Sequence, residues 1–161
     1  MFKYASNLTP QKRRTFANRL LRLRDYLKTV KDSKYDHCSL VEGVDKKHPC
    51  GTTACAMGHA VVSGKFPKLN ARLRGGSFET HCDVNVFITP EDVVDNKTGK
   101  EFNAAIRANK YFGPKSWREI FDDGGQYRHS NGDIIWNVTR KNVIARMTQF
   151  VKERYGVTTI R

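Results

Sequence analysis

Apolar residues recur along this chain at spacings that predict helices more often than strands. Phe16, Leu20, Leu23, Leu27 and Val30 lie three or four apart, which makes one stripe of an amphipathic helix. Thr9-Pro10 opens it, with Thr as the N-cap and Pro at the first helical position, so a helix is expected over about residues 10–31. Val143, Ile144, Met147, Val151 and Tyr155 repeat the pattern after Thr139 and before Gly156, predicting a last helix over about residues 140–155. Between them, Glu101 to Tyr111 reads as a helix with Phe102, Ala105, Ile106 and Tyr111 inward, stopped by Gly113-Pro114. Ser116 to Phe121 follows as a short helix presenting Trp117, Ile120 and Phe121.

The remaining segments are shorter. Thr89-Pro90-Glu91-Asp92 repeats the cap logic of Thr9-Pro10, with acids where a helix dipole favours them, and predicts a brief helix before the turn at Asn96-Lys97-Thr98-Gly99. Val84 to Ile88 is the best strand candidate. Asn131-Gly132 signals a hairpin turn between Gln126-Tyr127-Arg128-His129 and Ile134-Ile135-Trp136. Phe66-Pro67 to Gly75-Gly76 reads as a basic connection. No repeat, low-complexity tract or linker divides the 161 residues. The expected fold is mainly α (α+β with minor β), one compact helical domain over residues 1–161 with a short strand or hairpin.

Charge changes this picture more than any other compositional feature. The net charge is +13, and it is not spread evenly. Residues 1–31 carry nine cations against Asp25 alone, and residues 140–161 carry six against Glu153 alone, while residues 32–139 are neutral in sum. Concentrated cationic surface binds polyanions through counterion release, so the terminal helices are the expected contact surface. Lys12, Arg13, Arg14, Arg19, Arg22, Arg24 and Lys28 would supply phosphate contacts, joined by Arg140, Lys141 and Arg146 if the termini pack together. Around the first helix, Arg13, Arg14, Arg24, Lys28 and Lys31 fan across one flank of the apolar stripe, with Arg19 and Arg22 on the other. Tyr4, Tyr127 and Trp136 are candidate stacking platforms for bases, with Arg128 and His129 beside the turn.

No apolar run is long enough to cross a bilayer, and the first residues lack a signal-peptide core. A soluble, cytoplasmic protein without membrane contact is expected. In that compartment Cys38, Cys50, Cys55 and Cys82 would be free thiols or metal ligands.

Candidate chemistry concentrates in one window, Cys50-Gly51-Thr52-Thr53-Ala54-Cys55-Ala56-Met57-Gly58-His59-Ala60. Thr52 or Thr53 would cap a helix running to about Val62 and ended by Ser63-Gly64, giving a cysteine-rich helix start over 50–62. Cys50, Cys55 and His59 are candidate zinc ligands, with Cys55 and His59 four apart and His37, Cys38, His48, His81 or Cys82 as the fourth. Alternatively Cys55, near a helix start, could act as a nucleophile with His48 or His59 as base. The run of Ala and Gly, the absence of a second tight Cys/His pair and the lack of an orienting third group favour a core-packing helix entrance over either.

The same window resembles the Cys-Gly-Thr-x-x-Cys-x-x-Gly-[His/Trp]-Ala signature of small uncharacterised bacteriophage proteins. Tyr111-Phe112-Gly113, Trp117, Ile120-Phe121 and Val138-Thr139-Arg140 are similar too, so the resemblance covers roughly residues 30–155 and is dense only at the cysteines. In that signature Trp can stand at the position of His59, and the counterpart of Cys38 is often apolar, which implies packing in preference to metal. The basic first helix lies outside the resemblance. The expectation is a non-enzymatic phage-type accessory protein binding nucleic acid, or a nucleic-acid-associated host complex, through its terminal helices. A protein-protein inhibitor of an acidic host factor, and a zinc- or thiol-dependent enzyme centred on Cys50, Cys55 and His59, are the alternatives.

Overall fold

The computed structural model describes residues 7–37, 41–42, 55–73, 87–88, 93–100, 103–122, 127, 131–135 and 137–159. Its organising element is α1, Pro10–Thr29. Thr9 caps it as expected, its hydroxyl accepting from the Lys12 amide, and Val30 closes it by bonding back to the Leu27 carbonyl. Ala17, Leu20, Leu21, Leu23 and Leu27 are buried. That is a wider face than one stripe, because α1 is packed on more than one side.

Its neighbours are α2 (Ala56–Val62), α3 (Ala104–Phe112) and α4 (Arg140–Phe150), the last continued by a wider turn over Val151–Tyr155. α4 runs antiparallel to α1. Its start meets the end of α1, where Arg140 bonds the Leu27 carbonyl, and its far end returns to Phe16, whose ring lies 6.1 Å from that of Tyr155. Thr139 and Asn142 form a reciprocal capping box at the start of α4, and Gly156 ends its continuation at φ +67°. Val143, Met147, Phe150, Val151 and Tyr155 are buried along it. The mainly α, compact arrangement expected from sequence is the one observed.

α3 departs from expectation in its face. Asn103 caps it, and Ala104, Ala108, Tyr111 and Phe112 turn inward, while Ile106 is 66% exposed. The aromatic pair at its end sets the rotation: the Phe112 ring meets Tyr111, Phe66 and Phe121, which outweighs burying one isoleucine. Gly113 stops α3 at φ +103°. The short helix that follows, Trp117–Phe121, buries Ile120 and Phe121 as read from the sequence.

Strand content is small. Val41–Glu42 (β1) pairs antiparallel with Phe87–Ile88 (β3), and Ala71–Leu73 (β2) pairs antiparallel with Val93–Asp95 (β4). β3 falls within the strand expected over 84–88. The helix expected after Thr89-Pro90 does not reach residues 93–95, which are strand. Val93 and Val94 are β-branched neighbours with no helical apolar period behind them, so the pairing with β2 prevails. Asp95 then organises the turn at 96–99. Its carboxylate accepts from the amides of Lys97 and Thr98, from Asn70, and from Arg107 at 2.6 Å, which holds its pKa well below the usual carboxylate range. Of the expected hairpin, residues 126, 128–130 and 136 lie outside the described residues; among the described ones the Ile135 amide donates to the Tyr127 carbonyl beside an Asn131–Asp133 turn.

Candidate nucleic-acid interface

The terminal helices do pack together, and their cations divide into two groups. Six are tied to protein. Arg13 donates to the Leu8 carbonyl, and Arg24 and Lys28 both hold Asp25, at 2.7 and 3.1 Å. Arg19 donates to the Tyr111 carbonyl at 2.8 Å and lies 4.3 Å from the centre of that ring, fastening α1 to α3. Arg140 donates to the carbonyls of Leu27 and Lys28 and pairs with Asp32 at 2.8 Å. One guanidinium thus satisfies orphan carbonyls at the end of α1 and anchors the start of α4. Arg146 donates to the Glu119 carbonyl, faces its carboxylate and covers the Tyr127 ring.

Lys12, Arg14, Arg22 and Lys141 form the second group. All four are exposed, and among the described residues none is in a side-chain hydrogen bond or a salt bridge. Arg14 projects from the first turns of α1 and Arg22 from just past its middle. Two lysines outside the terminal helices join them. Lys65 and Lys68 are exposed on the turn after α2, where Pro67–Leu69 forms a short tight helix. The sequence marks residues 66–76 as a basic connection, and neither lysine was among the expected phosphate contacts. The available signal was spacing: Phe66 and Leu69 are buried and three apart, which leaves Lys65 and Lys68, also three apart, outside.

The aromatic candidates fare differently. Tyr127 is 5% exposed beneath Arg146, so it offers no face for a base, and burial raises its pKa above the ordinary tyrosine value. Tyr4, Arg128, His129 and Trp136 lie outside the described residues.

At the cysteine window, Cys55 is itself the cap of α2, its sulfur accepting from the Gly58 amide at 3.4 Å. This corrects the assignment of the cap to Thr52 or Thr53, which with Cys50 lie outside the described residues. It also places Cys55 before the helix, so it and His59 are not two side chains on one helical face. His59 is 4% exposed. Its Nε2–H donates to the Lys34 carbonyl at 2.8 Å, its ring stacks on Tyr35 at 6.4 Å, and desolvation lowers its pKa. Tyr35 in turn bonds His37, whose ring meets the edge-on Tyr127. Among the described residues no three Cys, His, Asp or Glu side chains converge as a metal group would require. What surrounds His59 there is an aromatic stack that seals one end of the core.

Among the described residues no helix is long and apolar enough to cross a membrane. Comparison with protein-family models, with curated proteins and with solved structures finds no match.

Proposed function

We propose that this chain is a non-enzymatic, phage-type accessory protein that binds nucleic acid through the cationic outer surface of its two terminal helices. The observation that carries the reading is the set of exposed cations Lys12, Arg14, Arg22 and Lys141, in no salt bridge among the described residues, on helices that pack side by side. Exposed cations on a rigid helical support attract phosphates and release condensed counterions on contact. Of the ten terminal cations expected to bind phosphate, these four are the ones free to do so. Arg19, Arg140 and Arg146 act instead by holding the helices that display them.

The test is binding of labelled single-stranded and double-stranded DNA and RNA, measured by fluorescence anisotropy between about 50 and 200 mM salt. With four phosphate contacts, log K should fall against log salt with a slope of roughly −3 to −4. Absence of binding at the lowest salt, or affinity indifferent to salt, overturns the reading. Retention of an acidic protein from nuclease-treated lysate in place of nucleic acid would favour the inhibitor alternative.

A further inference from the structure

The middle of α1 and the turn after α2 enclose a groove of about 330 Å³, lined by Thr15, Asn18, Arg19, Arg22, Lys65 and Lys68 over a floor of Phe66, Pro67 and Tyr111. Its construction is regular. Thr15, Asn18, Arg19 and Arg22 are spaced i, i+3, i+4 and i+7, so they form one complete face of the helix. The facing wall is the Lys65–Lys68 turn, clamped to the core by Phe66 and Leu69. Lys65 reaches back to α1, its Nζ 5.7 Å from the centre of the Tyr26 ring. Four cations line the groove and no carboxylate does. Arg22, Lys65 and Lys68 are in no salt bridge among the described residues.

Cations facing one another across a groove repel, and a bound anion removes that repulsion. The groove's size is that of a small-ligand site, enough for about one nucleotide unit and far too narrow for a duplex. It also continues. A second, smaller pocket of about 150 Å³ shares Asn18 and is lined by Arg14 and Gly156–Thr159. From Arg14 to Arg22 the two pockets follow roughly 12 Å of helix axis.

We infer that this groove is the seat of a single nucleic-acid strand, whose phosphates lie between Arg22 on α1 and Lys65 and Lys68 on the opposite wall. The inference rests on the nucleic-acid reading above and sharpens it. It adds two residues from the electrically neutral part of the chain, and it selects one strand over two. Arg19, already held by Tyr111, positions the wall; Arg14 takes the next phosphate along.

The experiment compares full-length protein with the Lys65→Ala/Lys68→Ala variant, and with Lys115→Ala/Arg118→Ala, which removes the same charge from exposed residues outside the groove. The probes are a fluorescein-labelled twelve-nucleotide oligo-dT and a twelve-base-pair duplex. The wild type should bind the strand more tightly than the duplex. The groove variant should lose roughly tenfold in affinity for the strand and about 1.4 in salt slope, two single-strand contacts' worth, with the control pair changing less than twofold. Equal losses in both variants, or a wild-type preference for duplex, overturn the groove while leaving nucleic-acid binding intact. A wild type that binds neither probe at low salt removes both readings. Thermal melts of the variants should match the wild type, since the substituted lysines are exposed.

Discussion

The α1–α4 pair is joined differently at its two ends, and only one of the two junctions is built on a cation. Where α1 ends and α4 begins, the junction is polar: Arg140 spans the carbonyls of Leu27 and Lys28 and the carboxylate of Asp32. Where α1 begins and α4 runs out, it is aromatic. There Phe16 meets Tyr155, the Tyr155 hydroxyl donates to the Phe112 carbonyl at 3.1 Å, and Gly113 fits between them. The aromatic junction is built without a cation, and Arg14 near that end and Arg22 just past the middle of α1 are in no salt bridge among the described residues. A polar junction consumes one. Residues of identical type on one pair of helices thus serve opposite ends, and a count of charge along the sequence cannot separate them.

The largest way to break this comparison is at the aromatic end. A Cβ on Gly113 would collide with the Tyr155 hydroxyl and lie 2.9 Å from the Phe16 ring, and the backbone there, at φ +103°, is strained for any residue with a side chain. Gly113→Ala should cost about 4 kcal/mol, the combined scale of overpacking and backbone strain. Urea unfolding measures it. A loss below about 1 kcal/mol would show that the end of α3 moves aside freely, and that the aromatic junction is not a rigid one.

Much of this architecture was legible because it depends on local chemistry. Thr9-Pro10, Thr139, Gly113 and Gly156 mark helix ends through their own backbone and side-chain preferences, and all four do so in the structure. What was not legible depends on partners distant in sequence. Leu21 sits outside the single stripe yet is buried, because helices press on α1 from more than one side. Ile106 was expected inside and is not, since Tyr111 and Phe112 set the rotation of α3. Thr89 to Asp92 lie outside the described residues, but residues 93–95, expected in the brief helix after them, pair instead with residues some twenty positions earlier. The candidate site follows the same rule. The cationic face of α1 could be read from spacing, whereas Lys65 and Lys68 become part of it only once the turn after α2 is laid beside that face.

The polar end is broken by Arg140→Met, which keeps most of the side chain's length and removes its charge. It should destabilise by about 2–3 kcal/mol, because two carbonyls and a carboxylate lose a charge-assisted donor at a site where the arginine side chain is only 14% exposed. Arg22→Met is the matched comparison and should stay within about 0.5 kcal/mol of wild type, since Arg22 is exposed and bonds nothing among the described residues. Equal losses for the two would mean that the division of cations into fasteners and contacts is false.

The smallest effect discriminates the two ends by pH. Arg140, by hydrogen bond and charge, lowers the pKa of Asp32 from the ordinary 3.8, while the aromatic junction of Phe16, Tyr155 and Gly113 contains no group that titrates in acid. A carboxyl whose folded-state pKa is lowered contributes stability above its unfolded value, and that contribution disappears as pH falls through the folded one. Asp32→Asn should therefore destabilise modestly at pH 7, less than Arg140→Met because Asp32 is exposed and solvent screens the pair. The gap from wild type should hold at pH 5 and narrow as the pH is taken below 3.8 toward the lowered folded value. Gly113→Ala, by contrast, should keep its full deficit over that range. Melting temperatures of the three proteins across it are the measurement. A gap for Asp32→Asn that stays constant with pH would remove the ion pair from the polar junction and leave Arg140 holding α1 through the two carbonyls alone.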